Sequence, residues 1–261
     1  MLKTFRKGGI HPPENKLSAG CPIIEIPQQK EYIVSLSQHI GAPAQCCVEK
    51  GDKVAKYQLI GKSSGFVSAN IHSPVSGTVK KIDKYKNAFG FESLSVFITP
   101  DGENREEKRP RTADEIAGLS PEEIISIIDD AGIVGLGGAT FPTKVKLTPP
   151  KNTPVDTLVI NGTECEPYLT NDQQLMVEKP DEITEGVKLL MRAINVDKAY
   201  IAIEANKPDA IEALRKAAGA NSGIEVIPLK VKYPQGGEKQ LIDAVLGRQV
   251  PSGGLPASVG V

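Results

Sequence analysis

Three short segments hold the side chains of this chain best suited to chemistry, and each is built around glycine or a polar run. The first is Gly135-Leu136-Gly137-Gly138-Ala139-Thr140-Phe141-Pro142-Thr143, with Lys146 just beyond it. Glycines packed this closely let a backbone turn sharply and come very near a flat ligand or a phosphate. The second is Asn161-Gly162-Thr163-Glu164-Cys165-Glu166-Pro167. Two carboxylates, an amide and a hydroxyl suit ribose hydroxyls or a carboxamide, and paired carboxylates can also serve as acid and base. The third is Tyr233-Pro234-Gln235-Gly236-Gly237-Glu238-Lys239-Gln240-Leu241, a glycine turn entering a helix. The free amides and positive dipole end of a helix N-terminus favour phosphate.

None of the three matches a standard nucleotide motif. The dinucleotide pattern G-x-G-x-x-G needs a glycine where Thr140 stands, and it follows a strand, whereas a helix precedes this loop. No Gly-Lys-Ser/Thr follows, so the P-loop pattern fails as well. Taken singly, the segments also read as a structural turn, a polar loop with a helix cap, and a common glycine turn. Taken together, two lie at predicted strand C-terminal ends and can face one crevice. A flavin or nucleotide pocket is the leading local reading.

The elements that position these segments follow from periodicity. Ser120 is a good N-cap, Pro121 suits the first helical position, and Glu123 completes a capping box. Ile124, Ile125, Ile127 and Ile128 supply the buried face, and Gly132 ends the helix. Strands are predicted at Thr157–Ile160, Ala199–Ile203 and Ile224–Val231. Helices are predicted at Glu182–Ala193, Pro208–Ala218 and Glu238–Leu246. The alternation implies an α/β fold, a mainly parallel sheet with flanking helices and ligands at the strand C-terminal ends. Residues 30–100 read instead as short strands and turns, at Gly51-Asp52-Lys53-Val54 and Ser73-Pro74-Val75-Ser76-Gly77-Thr78-Val79, the spacing of a small all-β module. The charged run within Asp101–Gly118, including Arg105-Glu106-Glu107-Lys108-Arg109-Pro110, reads as a linker. The expected division is therefore 1–100 for an N-terminal segment with the β module, 101–118 for the linker and 119–261 for the α/β domain.

Composition narrows the function classes. The 261 residues are 39% hydrophobic and 24% charged, ordinary for a soluble globular protein with ample core. A net charge of −1 argues against broad electrostatic binding of nucleic acid. No apolar run approaches the ~20 residues that span a bilayer, and no signal peptide opens the chain, so direct membrane insertion is not expected. Cys21, Cys46, Cys47 and Cys165 form no C-x-x-C pair, so neither a zinc site nor an iron–sulfur cluster is written here and no metal is expected in this chain. His11, His39 and His72 follow no ligand spacing and read as structural or surface residues. The final Gly253–Val261 is loop-like and turns apolar at its last residue, as at a cut inside a longer protein.

The three segments together resemble the flavin- and NADH-binding subunit of respiratory complex I. That family carries G-x-G-G-x-G-F-P-T-x-x-K, N-x-D-E-x-E-P and Y-x-x-G-E-E. The match falls on Gly135, Gly137, Gly138, Phe141, Pro142, Thr143 and Lys146, then Asn161, Glu164, Glu166 and Pro167, then Tyr233, Gly236 and Glu238. The chain departs at Thr140 for glycine, Thr163 for aspartate and Gly237 for glutamate. Across its whole length it resembles more closely the C subunit (RnfC) of the Rnf ion-translocating electron transport complexes. Gly8-Gly9-Ile10-His11-Pro12-Pro13, the glycine loop and Pro251-Ser252-Gly253-Gly254-Leu255-Pro256 carry that likeness.

The resemblance implies a peripheral NADH-linked flavin oxidoreductase subunit on the cytoplasmic face of the membrane. It would bind FMN and NAD(H), with the other members of the complex as partners and ferredoxin as indirect redox partner. Two 4Fe-4S clusters would lie only in a C-terminal region beyond this chain. The implied roles are backbone approach to FMN at Gly135, Gly137 and Gly138, and phosphate or ring contact at Lys146. Asn161 and Thr163 would bind ribityl or phosphate groups, Glu164 and Glu166 would face the nicotinamide nucleotide, and Gly236, Gly237 and Glu238 would close the phosphate side. Thr143 belongs to the same cofactor loop, where Phe141 serves either to stack on a ring or to pack. Two alternatives remain open, a cobalamin-reductase-like flavoprotein and a docking fragment that no longer binds flavin. The β module resembles lipoyl/biotinyl carriers and barrel-sandwich domains. Phe66 stands about where a carrier lysine belongs, and the nearby Lys62 lacks the flanking pattern, so a structural or docking module is expected.

Overall fold

The computed structural model describes residues 2–87, 90–107, 110–220 and 222–261. Lys108 and Arg109 of the expected linker lie outside the described residues. The chain forms two compact units, Ile26–Thr148, and Met1–Glu25 together with Pro149–Val261.

The first of these contains the β module. Its larger sheet is antiparallel and runs β1 (Tyr32–Ser35), β7 (Glu92–Pro100), β6 (Gly77–Lys86) and β3 (Lys53–Val54) in spatial order. A second antiparallel sheet joins β2 (Gln45–Cys46), β4 (Leu59–Lys62) and β5 (Ile71–His72). Between them lies a core of β-branched and aliphatic side chains, among them Val34, Leu36, Val54, Ile60, Val96 and Ile98. The two turns foreseen in the sequence meet, because the Gly51 amide donates to the Val79 carbonyl at 2.8 Å and the Val79 amide to Asp52 at 2.8 Å. His39 is buried with both ring nitrogens against backbone groups of Ile40 and Ala69, a structural role as expected.

Two helices follow in the same unit. A short one, α1 (Ala113–Ala117), sits inside the stretch read as linker and is capped by Thr112 and Glu115. The next, α2 (Pro121–Asp130), starts as its residues dictate. Glu123 donates its amide to the Ser120 hydroxyl at 3.2 Å, and the Ser120 amide donates back to the Glu123 carboxylate at 2.7 Å. Gly132 then takes a φ of +67°, which only glycine adopts freely, and turns the chain toward the glycine loop. Of the four isoleucines expected on the buried face, only Ile124 is fully enclosed.

The other unit carries three parallel strands in the order β10 (Ile224–Leu229), β9 (Ala199–Glu204) and β8 (Leu158–Asn161). Helices α4 (Asn171–Glu178) and α5 (Pro180–Ile194) link β8 to β9, and α6 (Pro208–Ala218) links β9 to β10. Alternation along β9 explains the layering, since successive side chains point to opposite faces. Ile201 and Ile203 join a cluster with Val187, Met191, Ile211 and Leu214, while Ala202 faces Phe5, Ile227 and Leu241 of α7 (Glu238–Leu246). The N-terminal segment, grouped with the β module on sequence grounds, lies along this sheet. The Lys230 amide donates to the Lys3 carbonyl at 2.9 Å, and Ile10 and Tyr233 exchange amide bonds at 2.8 and 2.9 Å.

Removing the α2 cap is expected to be felt. Ser120→Ala should lower the unfolding free energy by about 1 kcal/mol, read from the urea midpoint.

Candidate functional site

The expected site residues fall on both units. Gly135, Gly137, Gly138, Phe141, Thr143 and Lys146 belong to the unit with the β module, and Asn161–Glu166 and Gly236–Glu238 to the unit with the parallel sheet.

The glycine loop is a tight hairpin. The Gly135 amide donates to the Phe141 carbonyl at 2.8 Å, Val134 bridges Pro142, and the Thr143 amide donates to Ile133 at 3.0 Å. Thr143 thereby starts a single helical turn, α3 (Thr143–Lys146), that presents two lysines. Lys144 is neutralised by Asp129 of α2, whereas Lys146 is exposed and has no hydrogen bond or ion pair among the described residues. A Cβ built on Gly135 would sit 3.0 Å from the Lys146 ammonium, so that glycine leaves room for the charge. Gly137 and Gly138 have neither a left-handed φ nor any atom within 4 Å of an added Cβ. Nothing among the described residues therefore requires glycine at these two positions, and the bare backbone there is open. Thr140, which replaces a family glycine, has a φ of +44°. A β-branched residue in that region is strained. Phe141 is half-buried and fixes the hairpin through its carbonyl.

In the other unit the segments after β8 and β10 are tied to each other. The Asn161 side-chain amide donates to the Gly236 carbonyl at 2.8 Å, and its oxygen accepts from the Thr163 amide at 3.2 Å and from the Thr163 hydroxyl. The Gly236 amide donates to the Cys165 sulfur at 3.4 Å. An added Cβ on Gly236 would meet the Thr163 hydroxyl at 2.6 Å. Thr163 is buried, so this hydroxyl serves the loop, while Asn161 stays exposed at its edge. Gly237 caps α7, and Glu238, exposed in its first turn, matches the dipole there.

The two carboxylates of the polar loop have different environments. Glu164 is 1% exposed and accepts the Asp172 amide at 2.8 Å, thus serving as a remote cap for α4. Its other oxygen is buried without a hydrogen-bond partner among the described residues. Burial pushes the Glu164 carboxyl above its usual range, against the pull of Lys207 and Lys16. Burial likewise raises the Cys165 thiol, which favours the uncharged sulfhydryl. Glu166, by contrast, is exposed.

Several polar residues at the C-terminal ends of the strands escaped the sequence reading. Glu204 and Lys207 are each 1% exposed and pair at 3.4 Å, with Lys207 also donating to Asn206 at 3.0 Å. Gln235 is fully buried and accepts from Thr4 at 2.8 Å. The Lys16 ammonium donates to three carbonyls, those of Glu164, Glu166 and Leu169, at 2.8, 2.9 and 2.7 Å. A cavity of about 170 Å³ opens here, lined by His11, Glu14, Lys16, Glu164, Glu204 and Lys232 among others. Only the Gly-Gly-Ile-His-Pro-Pro opening hinted that the N-terminal segment mattered.

Residues 128–261, just over half of the chain, match a family model described as the Nuo51 FMN-binding domain. The chain belongs to that family. Residues 3–103 match the RnfC barrel sandwich hybrid domain. The C subunit of the proton-translocating ferredoxin:NAD(+) oxidoreductase complex of Clostridium ljungdahlii is 47% identical over 261 residues, 100% of this chain and 57% of that protein. The Na(+)-translocating counterpart of Acetobacterium woodii is 46% identical over 98% of this chain and 58% of its own length. An NAD+-reducing [NiFe]-hydrogenase in the air-oxidized state is 28% identical over 53% of this chain and 26% of the other, at a TM-score of 0.46. The resemblance to RnfC read from separated motifs therefore holds, and the chain spans a little over half the length of these two curated relatives. Among the described residues no helix is long and apolar enough to cross a membrane.

Two outcomes test the site's physics. Thr140→Gly should stabilise the protein by about 1 kcal/mol in urea unfolding, by relieving the left-handed backbone. The second concerns Glu164. A carboxyl whose folded pKa is raised holds its proton more tightly in the fold than in the unfolded chain, so its ionisation weakens the fold as pH rises above its usual value of 4.5. Glu164→Gln keeps the acceptor for Asp172 and carries no charge. Its stability relative to the unmodified protein should therefore improve between about pH 4 and about pH 7, measured by urea unfolding at both.

Proposed function

We propose that this chain is the FMN-binding part of an electron-transfer subunit in an ion-translocating ferredoxin:NAD oxidoreductase complex of the Rnf type. The observation that carries the reading is the glycine loop. Gly137 and Gly138 are open without an internal reason, and Lys146 stands beside Gly135 with no partner among the described residues. A phosphate or an electron-poor ring fits that combination of bare backbone and free ammonium.

FMN, when bound, would accept hydride from NADH and release single electrons to two 4Fe-4S clusters in a region of the longer protein beyond residue 261. The chain's own residues would bind and orient. Gly135, Gly137 and Gly138 admit the ligand, Thr143 and Phe141 hold the hairpin, and Lys146 supplies positive charge. In the other unit, Asn161, Thr163, Gly236, Gly237 and Glu238 shape the loops after β8 and β10. Glu166 faces the nicotinamide nucleotide, with Glu164 supporting its loop from beneath. The finer fold expectation, a mainly parallel flavin domain with flanking helices, belongs to this reading. So does the division at 101–118, with one family match ending at residue 103 and the other starting at residue 128. We place the protein at the cytoplasmic face of the membrane, held by the other members of the complex, with ferredoxin as indirect donor or acceptor.

One observation favours a second reading, a docking module without flavin. Thr163 and Gly237 replace acidic family residues, and the Thr163 hydroxyl is turned inward to Asn161.

One titration separates the two. FMN added to the purified chain should lose free-flavin fluorescence, and anaerobic NADH should then bleach the flavin absorbance. A folded chain that leaves FMN fluorescence unchanged overturns the flavin reading in favour of docking. Gly138→Ala should alter stability by less than about 0.5 kcal/mol, because its Cβ meets nothing, yet weaken FMN at least about tenfold.

A further inference from the structure

The N-terminal segment meets the polar loop through one side chain that the proposed function leaves without a role. The three donors of the Lys16 ammonium are all taken up by carbonyls between residues 164 and 169, and the middle one belongs to Glu166. Neighbouring contacts reinforce the grip. The Tyr168 amide donates to the Glu14 carbonyl at 3.0 Å, the Asn206 side chain donates to the Glu14 carboxylate at 2.8 Å, and the Ser18 and Thr170 hydroxyls lie 2.6 Å apart. Glu164 fixes the start of the same loop to α4. Between these anchors the Glu166 side chain is exposed.

We infer that Lys16 is a positioning residue for nicotinamide-nucleotide binding, holding the backbone of Glu166 so that its carboxylate meets the nucleotide's hydroxyl or amide donors. The inference rests on the proposed function, because it takes Glu166 to be the nucleotide-facing group. The role is positional because all three Lys16 donors are taken up by backbone carbonyls. The Lys16 ammonium is a point donor that satisfies three convergent carbonyls, a geometry that the planar fork of arginine does not reproduce. The apolar stem of the side chain is expendable, and the donors are not. Loosening the loop by a fraction of an ångström costs binding at Glu166 and leaves groups elsewhere unaffected.

The test uses NAD+ as the probe, with binding to the FMN-loaded protein followed by calorimetry and FMN affinity measured separately. Lys16→Met should weaken NAD+ about tenfold and leave FMN affinity within about twofold. Glu166→Gln should weaken NAD+ similarly, and the double variant should be no worse than either single one, the coupling expected of residues acting through one loop. Amide exchange in residues 165–169 should quicken in Lys16→Met. If that variant does not fold, Lys16→Arg, which keeps charge and length, should show the same quickened exchange and NAD+ loss. Additive losses in the double variant overturn the inference, as does unchanged NAD+ affinity in a variant whose loop exchanges faster. An unmodified protein that binds FMN but not NAD+ overturns the nucleotide role of Glu166 and the inference with it, whereas failure to bind FMN identifies the underlying flavin reading as the fault.

Discussion

Charge buried at the C-terminal edge of the parallel sheet sets the terms for everything around it. A carboxylate taken out of water must find partners or lose its charge. Here the acidic side chains Glu164 and Glu204 sit beneath the surface, where the strands end. Glu204 answers to Lys207, and Glu164 to the first turn of α4. The loops that follow the strands are tied to these groups and to one another, through Asn161 with Gly236 and through Cys165 with the Gly236 amide. The exposed groups of the site, Asn161, Glu166 and Glu238, stand on a base held in place from below.

The glycine hairpin obeys a different constraint. Its backbone bonds to itself, its glycines stay bare, and Lys146 keeps its charge unanswered among the described residues while the neighbouring Lys144 is neutralised by Asp129. Such a loop is built by leaving things out, and what it excludes is side-chain volume. The polar loops of the sheet unit are crowded by comparison, since even a methyl group on Gly236 would strike Thr163.

Local signals proved legible wherever the physics was local. The Ser120–Glu123 box, the ends of α6 and α7 and the three strands of the sheet follow from caps and periodicity that a few neighbouring residues determine. A second capping box at Thr112 and Glu115 was hidden in a charged run that reads as linker, and α4 has too little periodicity to stand out. Pairings over long separations left no local trace. Nothing about Lys16 in its own surroundings foretells three carbonyls some 150 residues away, the separations being 148, 150 and 153. The two glutamates of the polar loop look alike in sequence, and only tertiary burial tells Glu164 from Glu166. The glycine loop is the converse case, with its openness already implied by composition.

The placement of the N-terminal segment also bears on how the chain comes together as it is made. Lys3 reaches the Val245 carbonyl across 242 residues, and Arg6 binds Asp243 across 237. The unit that contains the β module, by contrast, is one uninterrupted stretch, Ile26–Thr148. During synthesis that unit has every partner it needs once its own residues have left the ribosome. Lys3 and Arg6 must wait until residues 243 and 245 have followed before their partners exist. Domains generally fold as units as they emerge, and contacts between distant residues form slowly because the loop between them must close first. The separations thus set a condition on assembly: the segment that holds the proposed nucleotide loop cannot dock before the last α-helix of the sheet unit has been made.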